Sequence, residues 1–249
     1  MLQREVGSWD YSVPYEELKL RINLLLKESA NLYLEKGYKK YAKRIIYLVI
    51  YALQLRNALR ISEALDGFTR FVFLQFNPQD FYPNPNETLV LVSKKKYVSY
   101  NPKTGKWNWK RLDYRKAIWP SFIRLEDLYT RNIIFEVFDR FPKIKEELYK
   151  VFEAYTQYKL ELERIVTLKQ KKLIERPKVF LDYAKRLKME CLRLVGVNTH
   201  TLRYAYITYL IRKGYNPSLI AKITHHSNLN YILTYTQRRQ AELILLKEE

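Results

Sequence analysis

The sequence predicts an α+β fold, mainly α-helical, with a small three-stranded antiparallel sheet. Three observations carry that prediction. Apolar residues recur at helical spacing from about residue 18 to residue 55 and again from about residue 125 onward. Between these stretches lie three short runs, 68–76, 89–92 and 114–122, which are aromatic or aliphatic and bounded by turn-forming residues. No internal repeat, low-complexity tract or Gly/Ser linker divides the chain. Residues 1–13 are expected to form a lead-in and residues 14–249 one domain.

The elements follow in order. Ser12 is placed to cap a first helix with Pro14 near its first turn, and Leu18, Ile22, Leu25 and Leu26 mark its buried face up to Gly37. A second helix is expected over 38–55, with Ile45, Ile46, Val49 and Leu53 on its apolar side. A short helix carrying Arg60 and Glu63 ends near Gly67. The three strands come next, with Lys94, Lys95 and Lys96 where the second one leaves the sheet. From Leu125 to Leu194 the pattern is helical, broken at Phe141-Pro142 and Arg176-Pro177, and Lys169, Lys171 and Lys172 form the basic end of a long middle helix. A helix over 200–212 stops at Gly214. A short one starts at Asn216-Pro217, and Ser227 or Asn228 caps one carrying Tyr235.

Charge narrows the function. Lys and Arg total 45 against 26 Asp and Glu, a net charge of +19. Such an imbalance suits a polyanionic partner, and nucleic acid is favoured over a basic surface kept for solubility. A membrane partner is not expected, since no apolar run approaches the roughly 20 residues that span a bilayer, and residues 1–10 carry no signal-peptide pattern. Cys191 is the only cysteine, so no intrachain disulfide or thiolate cluster forms, and neither a metal nor another cofactor is expected. The expected location is the cytoplasm.

The chain has three histidines, and all lie between His200 and Tyr235, as His200-Thr-Leu-Arg203, His225-His226 and, nine residues on, Tyr235. An imidazole and a guanidinium three residues apart share a helix face. Arg60 adds a second guanidinium among apolar neighbours, where it either pairs with Glu63 or reaches a phosphate. A phenol has a reference pKa near 10, so attack on a phosphodiester requires a base or strong positive potential beside it. Guanidiniums stabilise charge on the non-bridging oxygens, and a lysine or histidine protonates the leaving hydroxyl. Arg60, Arg203, His200, His226, Tyr235 and a lysine of the 94–96 run cover these roles.

With those residues in place, the chain resembles the catalytic domain of tyrosine recombinases, the phage-integrase family. Ala-Leu-Arg60-Ile-Ser-Glu63 is similar to the segment of the family's first arginine. His200-Thr-Leu-Arg203 matches its His-x-x-Arg box, and the interval from His226 to Tyr235 matches that from the third histidine to the nucleophile. The resemblance spans about residues 15–240. It implies the DNA breaking-rejoining fold, with Tyr235 as nucleophile, Arg60 and Arg203 on the scissile phosphate, His200 as general base and His226 on the phosphate. Lys94 would be the general acid, with Lys95 or Lys96 as alternatives.

The resemblance also implies double-stranded DNA attachment sites as substrate and a homo-oligomer, a tetramer on DNA and a monomer or dimer in solution. The 236–249 tail would be exchanged between subunits, and the expected setting is integration or excision of a virus or mobile element, for instance an archaeal one, or resolution of chromosome dimers. Glu63 would support Arg60, and Lys94–Lys96, Lys169, Lys171 and Lys172 would contact DNA. Two departures stand out. His225 occupies the place of the family's usual glycine, and a separate N-terminal DNA-binding domain is expected to be absent. Tyr231, one turn before Tyr235, fails the spacing. The alternatives are a type IB topoisomerase-like relaxing enzyme and a non-catalytic basic DNA-binding protein of the same fold.

Overall fold

The computed structural model describes residues 13–75, 89–92, 98–110, 114–123, 125, 130–225 and 232. Its first element, α1 (Tyr15–Lys36), starts at Pro14 and buries Leu18, Ile22, Leu26 and Tyr33, spaced at whole helical turns. Gly37 ends it at φ 62°, a left-handed position that glycine takes without steric cost, and its N–H donates to the Tyr33 carbonyl. The chain turns directly into α2 (Lys39–Asn57), which packs along α1. From Ile45 to Leu55 every α2 residue is buried, so no face of that part is left for water. It is the central helix, touched by α1, α3, α4, α6 and α7. Each large apolar side chain buried there contributes about 1.5–3 kcal/mol, before conformational entropy is charged against it.

α3 (Ile61–Arg70) passes straight through Gly67 and continues as a π-helical turn over Phe71–Gln75. The strand expected over 68–76 is therefore helical through residue 75. Phe68, Phe71 and Val72 fall at i, i+3 and i+4 and all three are buried, so tertiary packing on a helical period overrides the β-propensity of an aromatic run. The sheet differs accordingly. β1 (Leu89–Val92) pairs antiparallel with β4 (Tyr114–Ala117), with Leu89 opposite Ala117 and Val92 opposite Tyr114. The turn-rich stretch between them forms its own antiparallel hairpin, β2 (Val98–Asn101) with β3 (Lys106–Trp109). A 3-10 turn over Ser121–Ile123 replaces the second half of the third expected strand.

α4 (Thr130–Arg140) and α5 (Pro142–Thr167) break at Phe141-Pro142 as the sequence predicts. α5 buries Ile144, Leu148, Val151, Tyr155, Lys159, Leu162 and Ile165 along one stripe. Lys159 stays charged inside because Asp66 of α3 accepts from its ammonium at 2.8 Å. The helix ends at Thr167, with Lys169 left-handed at φ 49°. Lys169, Lys171 and Lys172 thus lie on the irregular segment after α5 rather than on its last turns. α6 (Lys178–Val195) closes on Gly196 at φ 79° and is tied to α2 by the Tyr51 hydroxyl, which donates to the Leu187 carbonyl.

α7 (Thr199–Arg212) opens on Asn198, whose side chain accepts the N–H groups of His200 and Thr201. Gln54 Nε2 donates to the Thr199 carbonyl at 2.7 Å and to the Leu59 carbonyl at 3.1 Å, which joins the start of α7 to the end of α2. Gly214 follows at φ 80°. α8 (Pro217–Thr224) is capped by Asn216. Ser12 lies outside the described residues, as do Ser227 and Asn228. Among the described residues no single helix is long and apolar enough to cross a membrane.

Candidate active site

Five elements meet at the end of α2. Asn57 is the local organiser: its Nδ2 donates to the Ile118 carbonyl and its Oδ1 accepts the Ile118 N–H, both at 2.8 Å. That pair of bonds sets β4 in register on α2. Burial then alternates along β4 with period two, Arg115, Ala117 and Trp119 inward and Lys116 and Ile118 outward. Arg115 is thereby delivered to the core under the start of α3.

Glu63 stands at the centre, its side chain 1% exposed. Its Oε2 accepts the Arg60 backbone N–H at 2.9 Å, which caps α3. Three guanidiniums surround the carboxylate: Arg60 Nη1 at 3.0 Å, Arg115 Nη1 at 3.3 Å and Arg203 Nη1 at 3.7 Å. Arg203, on α7, also donates to the carbonyls of Ala58 and Thr224, each at 2.8 Å. Arg115 reaches the same two carbonyls at 3.4 Å and donates to Asn57 O as well. Asn57 and Ala58 end α2 and Thr224 ends α8, so both buried arginines face the negative ends of helix dipoles.

The charges sort by exposure. Burial lowers the pKa of Arg203 to about 10, partly offset by Glu63, and lowers Arg115 for the same reason, so both remain cationic at neutral pH. Burial alone would raise the Glu63 carboxyl. Arg115 and Arg203, with the Arg60 backbone N–H, outweigh it and hold the carboxyl below its ordinary range. One carboxylate and two helix C-termini thus compensate mainly the two arginines that are almost fully buried. Arg60, with 30% of its side chain exposed, presents the remaining positive charge to solvent. Arg60 pairs with Glu63 and keeps part of its guanidinium facing outward.

His200 is exposed on the first turn of α7, one turn before Arg203. His225 follows Thr224 at φ 53° and ψ 44°. This left-handed position favours glycine, which gives the histidine at this point a backbone cost and a turn to make. The Thr224 carbonyl held by Arg203 therefore fixes where the chain sets out toward His226 and Tyr235. Lys94, Lys95, Lys96, His226, Tyr231 and Tyr235 lie outside the described residues. Lys169, Lys171 and Lys172 are exposed, Lys172 bonding Glu161 at 2.9 Å. They sit beside the β2–β3 hairpin, where Trp109 Nε1 donates to the Gln170 carbonyl. Among the described residues no group of three His, Cys, Asp or Glu side chains is placed to hold a metal ion.

Arg115 is the site residue that sequence reasoning missed. Its signal was present: in Tyr-Arg-Lys-Ala-Ile-Trp the arginine shares period-two parity with Ala117 and Trp119. An arginine on the inward face of a strand requires a buried anion as much as Arg60 does.

Comparison with known proteins finds relatives that align with nearly the whole chain. The chain is 32% identical over 244 residues to "Uncharacterized protein MJ0770" of Methanocaldococcus jannaschii, covering 98% of this chain and 90% of that one. It is 26% identical to "Putative integrase ORF241" of Acidianus two-tailed virus, over 97% of this chain and 69% of that one. To "Putative integrase V10" of Sputnik virophage it is 25% identical, over 95% and 88%. Among solved structures, the Tn1549 transposon integrase in complex with a circular intermediate DNA aligns with 96% of this chain and 67% of that one, at 16% identity and a TM-score of 0.40. No protein-family model matches. With "Uncharacterized protein MJ0770" the chain belongs to one family.

Proposed function

We propose that this protein is an integrase-type recombinase that cuts and rejoins DNA strands through a 3′-phosphotyrosyl intermediate. The observation that carries the reading is the cluster at the end of α2. Three guanidiniums share one buried carboxylate, and only Arg60 among them turns substantial surface outward. An exposed guanidinium over a buried positive centre, oriented by Glu63, is a preorganised receptor for a phosphodiester. The names of two relatives, integrases of an archaeal virus and of a virophage, support the same role.

In the proposed step the phenolic oxygen of Tyr235 attacks phosphorus, a P–O bond to tyrosine forms and the bond to the 5′ oxygen breaks. His200 takes the phenolic proton. Lys94, or its neighbours Lys95 and Lys96, protonates the departing 5′ oxygen. His226 and the arginines carry the charge on the non-bridging oxygens. One phosphodiester replaces another, so no external energy source is needed, and attack by a partner strand's 5′ hydroxyl reverses the step. The substrate is double-stranded DNA at attachment sites, and exchange between two duplexes calls for a homo-oligomer on the DNA.

The test is an SDS-resistant adduct on nicked duplex carrying a candidate attachment site, followed by peptide mapping. The adduct is expected at Tyr235 and is expected to vanish in Tyr235→Phe with DNA binding intact. Adducts that persist in Tyr235→Phe refute the assignment of the nucleophile.

A further inference from the structure

The β2–β3 hairpin is a second feature with a chemistry of its own. It is a two-stranded ribbon, and among the described residues neither strand pairs with a third. Its two faces differ sharply. Val98, Tyr100, Trp107 and Trp109 lie on one face, with the Tyr100 and Trp107 rings 5.1 Å apart and the Trp107 and Trp109 rings stacked at 6.2 Å. That face is rooted on the end of α5, where Val98 and both tryptophans pack with Leu162 and Ile165 in a small core separate from the main one. The bond from Trp109 Nε1 to the Gln170 carbonyl, 2.9 Å long, adds a polar anchor. The direction of the ribbon is therefore fixed by packing rather than left to a mobile tip.

The opposite face carries Ser99, Lys106 and Asn108, with Lys106 and Asn108 exposed. Asn101 at the tip accepts the Lys103 N–H at 3.0 Å and shapes the turn, and a side chain added at Gly105 would meet nothing within 4 Å. From Val98 to Lys110 the sequence contains Lys103, Lys106 and Lys110 and not one Asp or Glu. Lys169 and Lys171 stand exposed on the segment that Trp109 holds.

From this arrangement we infer that the hairpin is a base-reading ribbon that lies in the major groove of duplex DNA flanking the cleavage site. The major groove of B-DNA admits a two-stranded β-ribbon, where asparagine pairs with the adenine edge and lysine with guanine. Lys106 and Asn108 are the readers, and Lys103, Lys169 and Lys171 meet phosphates on either side. A single-stranded partner fits less well, because both tryptophans are packed on α5 rather than offered as stacking platforms. The inference rests on the recombinase reading for where the duplex lies. Trp109 is five residues from Tyr114, the neighbour of Arg115, a span of at most about 18 Å. With the length of the ribbon added, the base pairs read fall within roughly one helical turn of the scissile phosphate.

The experiment is selection of bound sequences from a pool of duplexes with a randomised block, using the full chain and the Lys106→Ala/Asn108→Ala variant. The wild type is expected to enrich a short contiguous block. The double variant, with unchanged melting because its side chains face solvent, is expected to lose preference there by about tenfold or more per position. Lys103→Ala is expected to weaken all sequences alike and to reduce the slope of log K against log salt by about 0.9. Identical selections by wild type and double variant overturn the inference, as does a wild type that selects nothing or binds single strands in preference to duplex. Because selection reads binding and adduct mapping reads cleavage, the two proposals fail separately. A chain that selects the block but forms no adduct removes only the phosphotyrosyl step, and adducts with unaltered selection remove only the ribbon.

Discussion

Replacing Glu63 by glutamine tests the centre of the site, because it preserves volume and removes one charge. The wild-type carboxylate has guanidinium nitrogens at 3.0, 3.3 and 3.7 Å. Unit charges at such separations attract by about 5 kcal/mol at an effective dielectric of about 20. The share of Arg60 is discounted, since that side chain is 30% exposed and screened by water. Arg115 and Arg203 have no such relief: they stay buried and repel one another once the carboxylate is neutral. Withdrawing the partner of a buried charge costs about 3–5 kcal/mol, equivalent to a melting shift of roughly 6–20 °C for a chain of this length.

Urea titration and thermal melting at neutral pH read that loss directly. Arg115→Met made in the Glu63→Gln background should restore part of the stability, with a coupling energy of about 1 kcal/mol or more in a double-mutant cycle. The pH dependence carries a sign as well. The Glu63 carboxyl is held below its ordinary range, so its contribution is present above that range and lost as pH falls through the lowered value. Glu63→Gln should therefore flatten the acid limb of the stability profile. A variant within about 1 kcal/mol of wild type, or strictly additive single changes, would refute the view that this carboxylate holds the arginines together.

Two further tests concern the interior. Asp66→Asn leaves the Lys159 ammonium, 7% exposed, without its carboxylate. It should cost about 3–5 kcal/mol, and the deficit should narrow as pH rises toward the ordinary lysine range, because burial already lowers the Lys159 pKa and deprotonation removes the buried charge; a deficit independent of pH would count against the pair. Burial pushes the Cys191 thiol well up, so the native protein should resist a thiol reagent at neutral pH and react only on unfolding. Rapid labelling of folded protein would contradict that placement.

Much of this fold was legible in the sequence where local and tertiary signals agree. The helices ending at Gly37 and Gly214, and the start at Asn216-Pro217, have apolar periods and end signals that point the same way. The run 68–76 failed that condition, since its residues favour strands by type while Phe68, Phe71 and Val72 are spaced for a helix, and only the partners of α3 decide between the two. The hairpin was hidden by its own turn chemistry: Asn101-Pro102 and Thr104-Gly105 drew attention away from the alternation of Val98 with Tyr100 and Trp107 with Trp109. The meeting of Arg60 and Arg203 was readable because those motifs are written in side chains. Arg115 was readable only by strand parity, and its four-residue strand offered little pattern to count.

The carbonyls of Ala58 and Thr224 have a consequence for how such a site changes over generations. All twenty amino acids present the same carbonyl, so the grip itself places no demand on these two side chains; what limits them is space and, at Ala58, a left-handed backbone at φ 48°. The arginines and the carboxylate carry the charge constraint, while Ala58 and Thr224 answer only to space and backbone conformation. A pocket assembled in this way can keep its geometry while its neighbourhood is rewritten. Where it diverges, substitutions should gather at the gripped residues and spare the ones that grip.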